Sequence, residues 1–147
     1  MSILFIGILL SGCKTKDNDE TKINYTFKRE NEFWDAKYTI NGFEKFERKN
    51  GVFSYNNSFS NLLTVEYKGD LSDLNSVKEM EISYKTSKNS GKLVDTYDTN
   101  QPITSKEFKL KSSGENTALP DENEIVIVEI KVDGVSQTLE LKKSDRE

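Results

Sequence analysis

Apolar and polar residues alternate singly over much of the chain, the period-2 pattern of half-buried strands. Ile23, Tyr25 and Phe27 oppose Asn24, Thr26 and Lys28. Trp34, Ala36, Tyr38 and Ile40 oppose Asp35, Lys37 and Thr39 within a segment spanning 33–40. Leu63, Val65 and Tyr67 alternate with Thr64, Glu66 and Lys68, and Met80, Ile82 and Tyr84 form the apolar set of 77–85. Shorter strands are predicted over 43–49, 52–55, 93–97 and 105–111. Asn41-Gly42 and Asn50-Gly51 predict tight turns between them, because Asn and Gly tolerate the positive φ such turns need. Asn56-Asn57-Ser58, 87–92 and the polar stretch 112–124, with Gly114 and Pro120, predict loops. Leu71, Leu74 and Val77, three apart, predict a single helical turn over 71–76.

The last two strands carry the strongest pattern. Segments 125–132 and 135–141 are separated by Asp133-Gly134, the composition of a type I′ hairpin turn. That turn sets a register in which Val132 faces Val135, Ile130 faces Gln137, Val128 faces Leu139 and Val126 faces Leu141. One face is almost wholly aliphatic, and the other pairs Lys131 with Ser136, Glu129 with Thr138 and Ile127 with Glu140.

About seven to nine short strands without an amphipathic helix of ordinary length predict an all-β fold. The expected architecture is an antiparallel β-sandwich, immunoglobulin-like, ending in the tight hairpin, with a small barrel as the closed alternative. Trp34, the single tryptophan, is placed between the sheets, as immunoglobulin domains bury theirs.

Ahead of the alternating region stands an uncharged, almost wholly apolar run, MSILFIGILLSGC, holding the only cysteine. It is shorter than the roughly 20 apolar residues that span a bilayer as a helix, and it reads as the apolar part of a signal peptide, although residues 1–13 contain no Lys or Arg. Leu10-Ser11-Gly12-Cys13 resembles the lipobox of bacterial lipoprotein precursors. The resemblance implies cleavage before Cys13 and a lipid on its sulfur. The order of features, this motif, then Glu32-Phe33-Trp34 opening a strand, then Asp121-Glu122-Asn123-Glu124 leading into the aliphatic hairpin, is similar to small lipoproteins of low-GC Gram-positive bacteria, a family without an assigned activity. On this reading residues 1–12 are the signal peptide, 13–22 the lipidated cysteine and a polar tether lifting the domain off the membrane, 23–143 a single β-sandwich domain and 144–147 a tail. The expected location is the extracytoplasmic face of the cell membrane.

Composition narrows the chemistry. Lys and Arg number 21 against 25 acids, and the net charge of −4 is spread along the chain, so the clustered basic face of a nucleic-acid binder is missing. The chain has no histidine, so neither Ser-His-Asp nor Cys-His systems, nor zinc sites built on imidazole, can form. No glycine-rich phosphate loop occurs. Asp17-Asn18-Asp19-Glu20 and Asp121-Glu122-Asn123-Glu124 lack the spacing and central glycine of an EF-hand. No cofactor and no metal is expected. A carboxylate pair acting on wall polymer is the enzymatic alternative, but the acids sit mainly on the polar sides of strands or in loops.

Eleven of the fifteen aromatic residues fall between Tyr25 and Tyr67. Phe43, Phe46, Phe53, Tyr55 and Phe59 cannot all share one inward face, and they are the expected interaction surface. The favoured function is a lipid-anchored, non-enzymatic binding module meeting an envelope protein or a glycan, through that patch or a sheet edge.

Overall fold

The structure is a computed structural model that describes residues 18–144, so Cys13 and the apolar run before it lie outside the described residues. Eight strands follow in chain order: β1 (Asn18–Glu30), β2 (Trp34–Lys49), β3 (Val52–Tyr67), β4 (Glu79–Lys85), β5 (Ser90–Thr96), β6 (Glu107–Glu115), β7 (Val126–Val132) and β8 (Val135–Lys143). A 3-10 turn, Leu71–Leu74, stands where the three-residue spacing predicts it. All strand pairs are antiparallel, as expected for this all-β fold.

The layers of the expected sandwich are the two halves of one sheet, in the order β5-β4-β7-β8-β1-β2-β3-β6. The sheet rolls on itself until it is nearly a barrel. Among the described residues the strand ladder passes from one half to the other at the end of β8, where Lys142 and Lys143 pair with Lys28 and Phe27 of β1. Strands β1, β2 and β3 form an uninterrupted meander, which differs from immunoglobulin connectivity. Inward residues from one half (Phe27, Trp34, Ala36, Tyr38, Ile40, Leu63, Val65) meet those of the other (Met80, Ile82, Tyr84, Val126, Val128, Ile130, Leu139, Leu141) in one buried core. Tyr38 and Tyr84 touch across it with ring centroids 5.0 Å apart. Trp34 is buried against Tyr67 and Phe108.

The β7–β8 register is the one the turn dictates, from Val132 opposite Val135 to Val126 opposite Leu141. Asp133 and Gly134 have φ of 47° and 85°, as a type I′ turn requires. Asp133 also fastens this hairpin to the start of β4, because its carboxylate accepts the backbone N–H groups of Lys78 and Glu79, each at 2.9 Å. These two bonds hold its pKa below the usual aspartate value.

Four local expectations give way. Asn41-Gly42 is not a turn: β2 runs straight through it, with Gly42 opposite Ile23 on one side and Phe59 on the other. The glycine answers a close approach, since a Cβ there would lie 2.2 Å from the carbonyl oxygen of Ser58 and 2.7 Å from the Cα of Phe59. Asn56-Asn57-Ser58 is not a loop but part of β3. Buried Asn57 spends its amide on a segment sixty residues away, donating to the carbonyl of Thr117 at 2.7 Å and accepting the Thr117 N–H at 3.2 Å. Residues 18–22, read as tether, belong to β1 and pair with β2 from Phe43 to Glu47. Likewise, 112–115 extend β6.

Candidate functional site: an aromatic ribbon face beside an acidic groove

Strands β2 and β3 are each 16 residues long, whereas β4, β5 and β7 have seven. The second half of the sheet therefore covers only the body end of the long hairpin. Beyond Gly42, residues 43–57 continue with the start of β1 as a three-stranded ribbon, closed by the tight turn at Asn50 (φ 52°) and Gly51 (φ 79°) that the sequence predicts.

Strand parity carries the core face out along this ribbon. Even positions of β2 and odd positions of β1 and β3 point inward in the body, so Glu44, Phe46 and Arg48 share a face with Thr21, Asp19, Asn57, Tyr55 and Phe53. The contacts agree. Phe46 and Tyr55 are direct cross-strand partners with centroids 4.9 Å apart and planes tilted by 45°. The Arg48 guanidinium lies 5.0 Å over the Phe53 ring, which it faces across the ladder. The Tyr55 hydroxyl donates to Glu44 at 2.9 Å and accepts from the Asn57 amide at 2.9 Å, which ties the platform to the body. Exposure rises toward the tip: 44% at Tyr55, 55% at Phe46 and 76% at Phe53.

Of the five aromatics named from the sequence, the fold brings three together. Phe46, Phe53 and Tyr55 form the platform. Phe59 is a core residue, its ring passing 2.8 Å from where a Cβ on Gly114 would stand. Phe43 is exposed but sits at an odd position of β2, on the opposite face with Lys45 and Glu47. Glu44, Arg48, Val52 and Asn57 are not among the residues the sequence singles out for this face. Carrying the alternation from Trp34 through Gly42 to Arg48 is the signal that places Glu44 and Arg48 beside Phe46.

At the root of the platform, on the same face, lies a groove of about 390 Å³ lined by Ile23, Tyr25, Glu44, Lys88, Leu119, Pro120, Asp121 and Glu122. Burial pushes the Tyr25 hydroxyl above its ordinary pKa, and Glu122, Glu44 and Asp121 add to the rise against the opposing charge of Lys143. Lys143 binds Glu122 at 2.5 Å and stands 5.9 Å from the centre of the Tyr25 ring. Glu44 links the two parts, lining the groove while holding Tyr55. Among the described residues no three acidic or cysteine side chains gather to hold a metal ion.

The ribbon also carries an open sheet edge. β1 bonds to β2 along its whole length, but on its other side only Phe27 and Lys28 pair with β8, with one further bond from the Ser144 N–H to the Thr26 carbonyl. Its outer half, lined by Asp19, Glu20 and Lys22, has no ladder partner there among the described residues.

Comparison with protein-family models, with characterised proteins and with solved structures finds no match to this chain.

Proposed function

We propose that the chain is a lipid-anchored interaction module at the extracytoplasmic face of the membrane, which meets a neighbouring envelope protein through the Phe46–Tyr55 face of its ribbon. The observation that carries this reading is the exposure of Phe46, Phe53 and Tyr55 on one face, projecting from a body whose own core is already closed. A protein partner fits better than a glycan, because rings tilted by 45° offer no flat plane for a sugar to stack on. Tyr, Phe and Arg are the side chains that anchor protein interfaces. The open edge of β1 beside this face offers a place for a strand from the same partner. At the root, Glu44 and Glu122 are engaged by Tyr55 and Lys143, which suits fixed surface charges better than carboxylates handing protons to a substrate.

Two measurements on the full chain test the reading. Wild type should partition into detergent and Cys13→Ala should not; equal partitioning would remove the anchor. Crosslinked membranes should yield one dominant envelope protein with wild type and lose it with Phe46→Ser. If the variant captures the same protein to the same extent, the ribbon is not the binding face.

A further inference from the structure

The far end of the ribbon carries its most exposed apolar side chains, one on each face. Phe53 projects from the face that continues the core and Val52 from the opposite one, and the two are 76% and 68% exposed. Arg48 and Lys49 flank them, and no acid occurs between residues 48 and 53. A protein lying on the aromatic face would cover Phe53 and leave Val52 in water. A lipid interface surrounds a hairpin tip and takes both faces at once, while the two cations meet anionic headgroups.

The path of the chain points the same way. Asn18 pairs with Glu47, so residues 13–17 join the protein at the far end of the ribbon and not at the body. Five residue steps from Cys13 to Asn18 reach at most about 18 Å. The turn at Asn50 stands three residues, roughly 10 Å, beyond Glu47. With the ribbon directed at the membrane, the tip thus stays within roughly 8 Å of the plane of Cys13 even at full stretch, about the depth of one headgroup layer.

Resting on the reading of Cys13 as lipidated, we infer that residues 48–53 form a wedge that enters the headgroup layer of the membrane carrying the anchor. The segment before β1 is then no spacer. It is a short leash that draws the tip onto the bilayer and presents the Phe46–Tyr55 face sideways, toward a partner in the same membrane.

The test uses the full acylated chain in vesicles of phosphatidylethanolamine and phosphatidylglycerol, part of the lipid being brominated along its acyl chains. Indoles are introduced singly by Phe53→Trp and Val52→Trp, with Val94→Trp on β5 as a control in the body; Trp34 is buried and supplies a constant background. The wedge predicts that bromolipid quenches both tip indoles and spares the one at position 94. Tip indoles quenched no more than the indole at position 94 overturn it, and quenching at only one of positions 52 and 53 overturns it in favour of one-sided contact. The mass of the chain extracted from membranes tests the anchor separately. An acylated chain with unquenched tip indoles keeps the anchor and removes the wedge. An unacylated chain whose tip indoles are quenched when vesicles are added does the reverse.

Discussion

Two stretches of the same hairpin obey one alternation and end in opposite surroundings. Trp34, Tyr38, Leu63 and Val65 are buried in the body, while Phe46, Phe53 and Tyr55, on the same face of the same strands, stand in water. Covering a large apolar side chain stabilises a fold by about 1.5–3 kcal/mol, and the ribbon forgoes that gain repeatedly. The cause is length: strands of seven to nine residues in the other half of the sheet cannot cover strands of sixteen. Alternation therefore identifies a face, and only the opposing layer decides whether that face becomes core or contact surface.

The largest effect is expected at the body end. Trp34→Ala leaves a cavity against Tyr67 and Phe108 and should cost about 3–5 kcal/mol. Against a total of about 5–15 kcal/mol, that loss is plain in a denaturant titration. The wild-type indole should also emit in the blue and resist iodide. A small cost with red, readily quenched emission would make Trp34 a solvent-facing residue like those of the ribbon.

Gly42 marks the boundary between the two regions. Gly42→Ala places a methyl against the Ser58 carbonyl and the Phe59 backbone, and should destabilise by about 1–3 kcal/mol through overpacking. Were Asn41-Gly42 a loose turn, the same change would be nearly neutral, so the melting midpoint of this variant separates a continuous strand from a break.

The terminal hairpin gives two smaller effects. Gly134→Val forces a β-branched residue to a φ of 85° and should cost about 1 kcal/mol or more, read from thermal unfolding. Asp133 adds a pH dependence with a defined sign. Its folded pKa lies below the ordinary 3.8, so the stability it contributes is fully present above that value and is lost as pH falls through the lower folded one. Asp133→Asn keeps an acceptor at the turn but should flatten this part of the acid dependence. An unchanged acid profile would mean that the bonds from Lys78 and Glu79 do not favour the charged form.

Legibility in the sequence follows the range of the interactions. The β7–β8 hairpin is readable because a two-residue turn and adjacent alternation act within a few residues, and its register follows from them alone. Trp34, Tyr38 and Leu63 are readable as inward for the same reason. Asn41-Gly42 misleads because the dipeptide has a local meaning, a turn, and a non-local one, the approach of Phe59, and only the fold distinguishes them. Asn57 looks like loop because its partner Thr117 lies sixty residues away. Phe59 joins the candidate platform because a break at Gly42 and a loop at Asn57 would hide the parity that places it in the core.

The ribbon's apolar residues serve contact and not the fold. Guanidinium unfolding of the full chain carrying Phe46→Ser, Val52→Ser and Phe53→Ser together measures this. All three side chains are exposed, so the unfolding free energy should stay within about 0.5 kcal/mol per substitution of the parent, with an unchanged slope. A loss approaching that of Trp34→Ala would contradict it and make the ribbon part of the core.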